Sequence, residues 1–158
     1  MKLGVIVGKF LPLHLGHVNF INRSSTMVDK LIVVVCYSNR DRKVCEESFI
    51  PEITLKNRLR WLHTIYHDLK HIEIRYLDES EIAEYPNGWK EFIELLKIAV
   101  PEKIDYIFSS ELEYDEFYKK LLPEAEHIII DSKRKERMIS GTEIRKNPYG
   151  NWFFIPRY

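Results

Sequence analysis

Two histidines and two glycines follow the first apolar run of the chain, and their spacing could hold a phosphate. The run covers residues 3–7, and the string Gly-Lys-Phe-Leu-Pro-Leu-His-Leu-Gly-His follows at residues 8–17. Apolar residues then continue at helical spacing, so the string is predicted to form a strand-to-helix turn. The start of a helix has unpaired N–H groups and roughly half a positive charge, both of which favour an anion.

The side chains of this turn strengthen the phosphate interpretation. Gly16 lets the backbone approach a ligand closely, and Lys9 adds a positive charge. His14 and His17 are three residues apart, so in a helical turn they project to the same side. The P-loop spacing is absent, and the turn has no cysteine or carboxylate to complete a closed metal site. A structural role, in which the histidines hydrogen bond to the loop backbone, stays open.

A second turn of small residues lies near the end of the sequence. Residues 139–145 read Ile-Ser-Gly-Thr-Glu-Ile-Arg, which predicts a helix that begins near Ser140 and carries Arg145 one turn later. Small hydroxyl residues at a helix start either cap the helix or bind phosphate, and the sequence does not separate the two uses. Residues 131–137 precede this turn and hold four cations. Their position after the last predicted strand favours a phosphate site over a solvated basic loop.

Composition narrows the class of protein. The chain has 158 residues with 24 basic and 24 acidic side chains. A single domain over residues 1–158 is therefore expected, without the basic field that nucleic acids or anionic membranes require. The longest apolar run, residues 31–37, is too short to span a bilayer. A strand is predicted to begin directly after Met1 and Lys2, which leaves no room for a signal peptide. These features predict a cytoplasmic enzyme.

Apolar runs and helical patterns alternate along the chain. Strands are predicted at residues 3–7, 30–37, 71–76, 105–108 and 126–130, with helices between them and a long polar loop at residues 38–53. Such βαβ units close right-handed, so the expected fold is α/β, a Rossmann-like parallel five-stranded sheet with helices on both faces. Ligands of such sheets bind beyond the carboxyl ends of the strands. Both small-residue turns, the polar loop and Ser109-Ser110 are predicted to meet at that edge.

The two turns resemble the paired signatures of the HxGH nucleotidyltransferase superfamily. The resemblance extends over nearly the whole chain and is closest to the NadR-type nicotinamide-nucleotide adenylyltransferases. Beyond the two turns it rests on five short segments, at residues 37–42 (Tyr-Ser-Asn-Arg-Asp-Arg), 57–62, 85–89, 109–111 and 131–134, and on residues 146–156. It implies transfer of AMP from Mg-ATP to nicotinamide mononucleotide, which gives NAD and pyrophosphate. In such a reaction positioning and charge neutralisation can carry the catalysis without a covalent nucleophile.

The resemblance also implies roles for single residues. His14, His17, Lys9 and Arg145 would act on the ATP phosphates, with Mg²⁺ carried by ATP. The other residues implied to bind ATP are Gly8, Phe10, Gly16, Ser109, Ser110, Asp131, Arg134, Ser140, Gly141 and Thr142. For nicotinamide mononucleotide, the resemblance implies ring stacking on Trp89 and a phosphate contact from either Arg42 or Arg58. Trp89 also lies on the apolar stripe of its helix, so a place in the core stays open.

Two kinds of alternative remain open. The acceptor could instead be nicotinate mononucleotide, phosphopantetheine or a polyol phosphate, or the chain could be a catalytically silent sensor of NAD or ATP.

Bacterial NadR proteins also carry a helix-turn-helix and a ribosylnicotinamide kinase. The sequence starts at the first predicted strand and has no Walker A string, so neither the repressor nor the kinase function is carried over, and a stand-alone adenylyltransferase is expected. Homo-oligomers are frequent in the family, and nucleic acid and membrane are not expected partners.

Overall fold

A parallel sheet of five strands forms the centre of the protein. The computed structural model describes residues 1–130 and 140–156. The strands are β1 (Leu3–Gly8), β2 (Lys30–Tyr37), β3 (Ile72–Asp78), β4 (Tyr106–Ser109) and β5 (Glu126–Ile129). They are arranged in the order β3-β2-β1-β4-β5, and every neighbouring pair is parallel. The predicted α/β fold is thereby confirmed.

Helices cover both faces of this sheet. They are α1 (Leu15–Ser25), α2 (Asp41–Glu47), α3 (Leu55–Tyr66), α4 (Trp89–Ala99), α5 (Asp115–Leu121) and α6 (Gly141–Lys146). Apolar residues of α1 and α3 pack on one face, and those of α4 and α5 pack on the other. None of the helices in the two described ranges is both long and apolar enough to cross a membrane.

Strand β2 explains why the sheet is covered on both sides. Leu31, Val33 and Val35 point into the core under α1 and α3, whereas Ile32 and Val34 alternate with them into the core under α4 and α5. All five side chains are fully buried. A strand that buries both of its faces has a continuous apolar sequence, which is the pattern that predicted this strand.

The predicted long loop at residues 38–53 is wrong in part, because it contains helix α2. Only Asp41 and Cys45 of this helix are buried, so it has no apolar stripe of the kind that identifies a helix in a sequence. The buried side of its first turn is instead polar. Asp41 accepts a hydrogen bond from the backbone N–H of Ser38 at 3.0 Å and pairs with two cations. Helix α2 is therefore fixed by buried charge rather than by apolar packing.

Gly88 begins helix α4 in a left-handed backbone conformation, with φ of +79°. A Cβ atom at this position would lie 2.4 Å from the carbonyl oxygen of Ala83. We expect Gly88→Ala to lower the free energy of unfolding by at least about 1–2 kcal/mol, because the left-handed conformation alone costs an L-residue that much. Urea denaturation measures the change. Lys90→Ala, an exposed substitution in the first turn of α4, is the control and should change stability by less than about 0.5 kcal/mol.

The strand order places a crevice at the carboxyl ends of β1 and β4. The chain leaves β1 through α1 and returns to β2 on one side, while β4 pairs with β1 on the other side. Strand order reverses between these two neighbours, and open α/β sheets bind ligands at such a reversal. The turn that contains His14 and His17 follows β1 directly and therefore lies at this crevice.

Candidate active site

Two cavities open beyond the carboxyl ends of the strands and share part of their walls. The larger has a volume of about 530 Å³ and the smaller about 220 Å³. Val7, Gly8 and Tyr114 line both of them. Since Val7 and Gly8 end strand β1, the cavities meet at the point where the strand order reverses. A ligand with two parts could extend from one cavity into the other across Gly8.

The smaller cavity brings together residues that are far apart in the sequence. One wall is the turn between β1 and α1, and the opposite wall follows β4. Of the residues predicted to bind ATP, those that line this cavity are Gly8, Phe10, His14, Gly16, His17, Ser109 and Ser110. The structure therefore brings the first signature and the serine pair to one site, as the parallel sheet predicts.

His14 and His17 form a reciprocal cap at the start of α1. The backbone N–H of His17 donates to Nδ1 of His14 at 3.3 Å, and the backbone N–H of His14 donates to Nδ1 of His17 at 3.2 Å. Their rings stack with centroids 3.7 Å apart. Because each Nδ1 accepts a hydrogen bond from a backbone N–H, each ring in its neutral form carries its proton on Nε2 and is a donor there. The capping contacts therefore direct the N–H donor of each ring to Nε2, the atom from which a histidine can donate to a phosphate.

Phe10 holds the turn in an unusual conformation. Its φ is +53°, a left-handed value that is rare for a large L-residue, and its side chain is buried. The ring packs edge-on against His17, with centroids 4.8 Å apart, and a Cβ at Gly8 would lie 3.2 Å from it. Such backbone strain is concentrated at functional sites, where the surrounding structure compensates for it. Phe10 thus sets the path between the two signature glycines.

Helix α6 packs directly on the first signature. Arg145 donates to the carbonyl oxygen of Leu11 and to Oγ1 of Thr142, and a Cβ on Gly141 would lie 2.9 Å from that same carbonyl oxygen. Burial lowers the pKa of Arg145 from its ordinary value. The hydroxyl of Ser140 accepts from the backbone N–H of Glu143 at 3.2 Å, so it caps the helix. Two other predicted residues, Asp131 and Arg134, lie outside the described residues.

A charged network forms one wall of the larger cavity. The ammonium group of Lys9 lies 3.0 Å from Oδ1 of Asp41 and 2.8 Å from Oε1 of Glu79. Burial on its own lowers the pKa of Lys9, but these two carboxylates outweigh it and raise the pKa above the ordinary value. Lys9 is therefore charged at neutral pH, and its ammonium group is held by carboxylates that follow β2 and β3.

Of the three arginines near this wall, the two predicted to hold a phosphate do not line the cavity. Arg58 is fully buried and donates to Asp41 at 3.1 Å and to the carbonyl oxygens of Lys9 and Thr54. Arg42 is exposed and pairs with Glu46, one turn along α2.

Arg40 is the arginine that lines the larger cavity, and sequence reasoning missed it. Its guanidinium group is anchored on the carbonyl oxygens of Ile82 and Glu79, at 3.0 and 3.3 Å. The string at residues 37–42 contained Arg40, but the choice between its two arginines depends on the helical turn that points Arg42 to solvent.

Aromatic rings form the other wall of the larger cavity. Trp89, for which the resemblance implies ring stacking, lies there together with Tyr85, Phe92, Tyr114 and Tyr118. Phe117 stacks on Trp89 with centroids 4.7 Å apart and planes within 8°. One face of the indole is therefore already covered, and Trp89 belongs both to the cavity wall and to the apolar cluster behind it.

Comparison with known proteins agrees with this geometry. Residues 5–147 match the family described as Cytidylyltransferase-like. The chain is 36% identical over 159 residues to the trifunctional NAD biosynthesis/regulator protein NadR of Escherichia coli, a match that covers 98% of this chain and 38% of NadR. A crystal structure of NadR protein in complex with NR is 29% identical with a TM-score of 0.76, and the match covers 98% of this chain and 43% of that one.

A second group of relatives has a different name. The phosphopantetheine adenylyltransferase of Caldanaerobacter subterraneus is 24% identical, and the match covers 92% of this chain and 83% of that enzyme. This chain spans about two fifths of the length of the NadR proteins it matches. The match of residues 5–147, together with the identity to NadR over nearly the whole chain, shows that the chain belongs to the cytidylyltransferase-like family of nucleotidyltransferases.

Proposed function

We propose that this chain is a nicotinamide-nucleotide adenylyltransferase, which transfers AMP from Mg-ATP to nicotinamide mononucleotide and releases pyrophosphate. The observation that carries the proposal is the junction of the two cavities at Gly8, beside His14 and His17. A reaction that joins two nucleotides through their phosphates needs two pockets that meet at a phosphate site. The NadR relatives, whose name includes NAD biosynthesis, favour a pyridine nucleotide as the acceptor.

The chemistry that fits this site is a direct displacement. A phosphate oxygen of nicotinamide mononucleotide attacks the α-phosphorus of ATP, a new P–O bond forms, and the bond to the β-phosphate oxygen breaks to release pyrophosphate. His14 and His17 would donate from Nε2 to the phosphates in the smaller cavity. Arg145, whose helix packs on the same turn, would neutralise the charge that develops on the leaving group. Ser140, Gly141 and Thr142, at the start of the same helix as Arg145, would bind the same phosphates.

Mg²⁺ belongs to the substrate in this proposal, because it arrives bound to the ATP phosphates. The described residues contain no cluster of three histidine, cysteine or carboxylate side chains that could hold a metal ion. Asp41 and Glu79 flank Lys9 at the cavity junction and carry negative charge, but both are already paired with that cation. We therefore assign no protein ligand to the metal.

The acceptor is proposed to occupy the larger cavity. Its aromatic wall, with Tyr85 and Trp89, suits a flat pyridine ring, and its charged wall, with Lys9 and Arg40, suits a phosphate. Phosphopantetheine is a flexible, non-aromatic acceptor, and the relatives named phosphopantetheine adenylyltransferase make it the second candidate. The aromatic cluster around Trp89 favours the pyridine nucleotide.

A coupled assay tests the proposal. Purified protein is mixed with ATP, Mg²⁺ and nicotinamide mononucleotide, and NAD is measured with alcohol dehydrogenase. Nicotinate mononucleotide and phosphopantetheine are run in parallel, and products are separated by chromatography. Formation of NAD faster than of the other two products supports the proposal. Faster turnover of phosphopantetheine would identify it as the acceptor in place of nicotinamide mononucleotide. ATP binding without turnover on any acceptor would indicate a sensor.

Arg40→Ala is expected to raise the KM for nicotinamide mononucleotide by about 10-fold or more, since a hydrogen bond to a charged group contributes about 1.5–3 kcal/mol. The KM for ATP should change by less than about 2-fold, because Arg40 lines only the larger cavity. Steady-state kinetics with each substrate varied in turn measures both. Arg42→Ala, two residues along the chain and exposed, is the matched control and should change neither value. Equal effects of the two substitutions would contradict the assignment.

A further inference from the structure

A serine, a histidine and an aspartate form a hydrogen-bonded array beside the smaller cavity. Oγ of Ser109 lies 2.6 Å from Nε2 of His127, and Nδ1 of His127 lies 3.0 Å from Oδ1 of Asp115. Lys119 pairs with the other carboxylate oxygen of Asp115 at 2.7 Å. The three residues of the array come from β4, β5 and α5. None of the contacts described above assigns a role to His127 or Asp115.

The array directs the proton of the Ser109 hydroxyl. Hydrogen bonds from Lys119 and His127 lower the pKa of Asp115, so its carboxylate is ionised and can only accept. In the neutral form of the His127 ring the proton therefore lies on Nδ1, and Nε2 accepts the hydrogen bond that the Ser109 hydroxyl donates. The other acceptor near that hydroxyl, the carbonyl oxygen of Glu111, is 3.4 Å away and competes weakly. With its proton engaged, Ser109 can meet a ligand only as an acceptor.

The array also fixes the segment that lines the smaller cavity. The backbone N–H of Glu111 donates to Oγ of Ser109 at 3.2 Å, so the same hydroxyl orients the chain that follows β4. Ser109, Ser110, Glu111 and Tyr114 all line the cavity. The side chain of His127 is only 1% exposed, which keeps water from replacing it as the partner of Ser109. A buried ring is thus the rigid support of one cavity wall.

We propose that His127, held by Asp115, is a positioning residue that orients the Ser109 hydroxyl as an acceptor for the nucleoside of ATP. The proposal rests on the proposed function, because it takes the smaller cavity as the ATP site. A hydrogen-bond donor on the ribose or the base of ATP binds to the Ser109 oxygen. Without His127, the Ser109 hydroxyl would rotate, and the segment after β4 would lose the hydrogen bond that orients it. His127 itself does not touch the substrate. Its effect therefore falls on ATP binding rather than on the chemical step.

Two isosteric substitutions of His127 separate its two contacts. The amide of glutamine reaches the position of Nε2, so His127→Gln keeps an acceptor for Ser109. The amide of asparagine reaches only the position of Nδ1, so His127→Asn keeps the contact with Asp115 and loses the one with Ser109. We expect His127→Asn to raise the Kd of AMP-PNP, measured by calorimetry, by about 5–10-fold, the value of one net hydrogen bond, and His127→Gln to change it by less than about 2-fold. Lys119→Ala, which removes an exposed ion pair, should leave the Kd unchanged.

Three outcomes would overturn the proposal, and a fourth would contradict only the proposed acceptor. If His127→Asn and His127→Gln lower the unfolding temperature alike and leave the Kd of AMP-PNP at the wild-type value, the array is only structural. Covalent labelling of Ser109 by a fluorophosphonate would instead mark it as an activated nucleophile. Wild-type protein that binds AMP-PNP but makes no NAD would contradict the proposed acceptor and leave this test in force. Wild-type protein that does not bind AMP-PNP would overturn both proposals.

Discussion

His17→Asn is expected to lower turnover by about 10²–10³-fold while the protein stays folded, because removal of one well-placed donor to a developing charge has that effect. The oxygen of asparagine can take the place of Nδ1 and accept from the backbone N–H of His14, so the cap of α1 is kept. What asparagine lacks is the donor at the position of Nε2. Single-turnover kinetics with saturating ATP measures the chemical step, and circular dichroism verifies the fold.

His17→Ala is the matched comparison, since it removes the donor and the cap together. It should lose as much activity as His17→Asn and, in addition, about 0.5–2 kcal/mol of stability, the usual value of a helix cap. Urea denaturation of the two variants isolates that difference. Full turnover in His17→Asn, with its cap intact, would mean that the ring serves the backbone alone and would remove His17 from the proposed mechanism.

The sheet could be predicted from the sequence because its physical cause is local. Strand β2 was predicted with the bounds it has, residues 30–37, since a strand buried on both faces must be apolar at every position. The first turn was predicted to face a ligand because glycines and histidines in this spacing, at a strand-to-helix turn, are suited to binding phosphate. Alternation of strands and helices then placed both turns and Ser109 at one edge. In the structure the first turn and Ser109 line one cavity, and the second turn packs on the first.

Features that depend on buried charge could not be predicted in this way. Helix α2 has no apolar stripe, and Arg40, Arg42 and Arg58 are chemically equal in the sequence. Asp41 is buried and attracts Arg58 into the interior, whereas the first turn of α2 directs Arg42 to solvent. The array of Ser109, His127 and Asp115 could not be predicted from the sequence either, because its members lie on three elements that come into contact only when the chain is packed. Pairing between distant polar residues carries no periodicity for a sequence pattern to reveal.

Asp41→Ala is expected to have the largest effect on stability, a loss of about 3–5 kcal/mol, because it leaves a buried charge without its partner. The guanidinium group of Arg58 is fully buried, and its only ionic contact among the described residues is Asp41 at 3.1 Å. Its remaining hydrogen bonds, to the carbonyl oxygens of Thr54 and Lys9, cannot neutralise a cation. Urea denaturation of the wild type and the variant measures the change in the free energy of unfolding.

Two further variants show whether burial of the charge causes this loss. Glu46→Ala breaks the exposed pair with Arg42 on the same helix and should cost about 0.5 kcal/mol or less. Adding Arg58→Met to Asp41→Ala removes the unpaired cation and should recover a large part of the stability, since a buried ion pair can be replaced by apolar packing at little cost. A double variant no more stable than Asp41→Ala would mean that Asp41 acts through Ser38 and Lys9 instead. Helix α2 would then be fixed by its contacts with the cavity wall rather than by the pair beneath it.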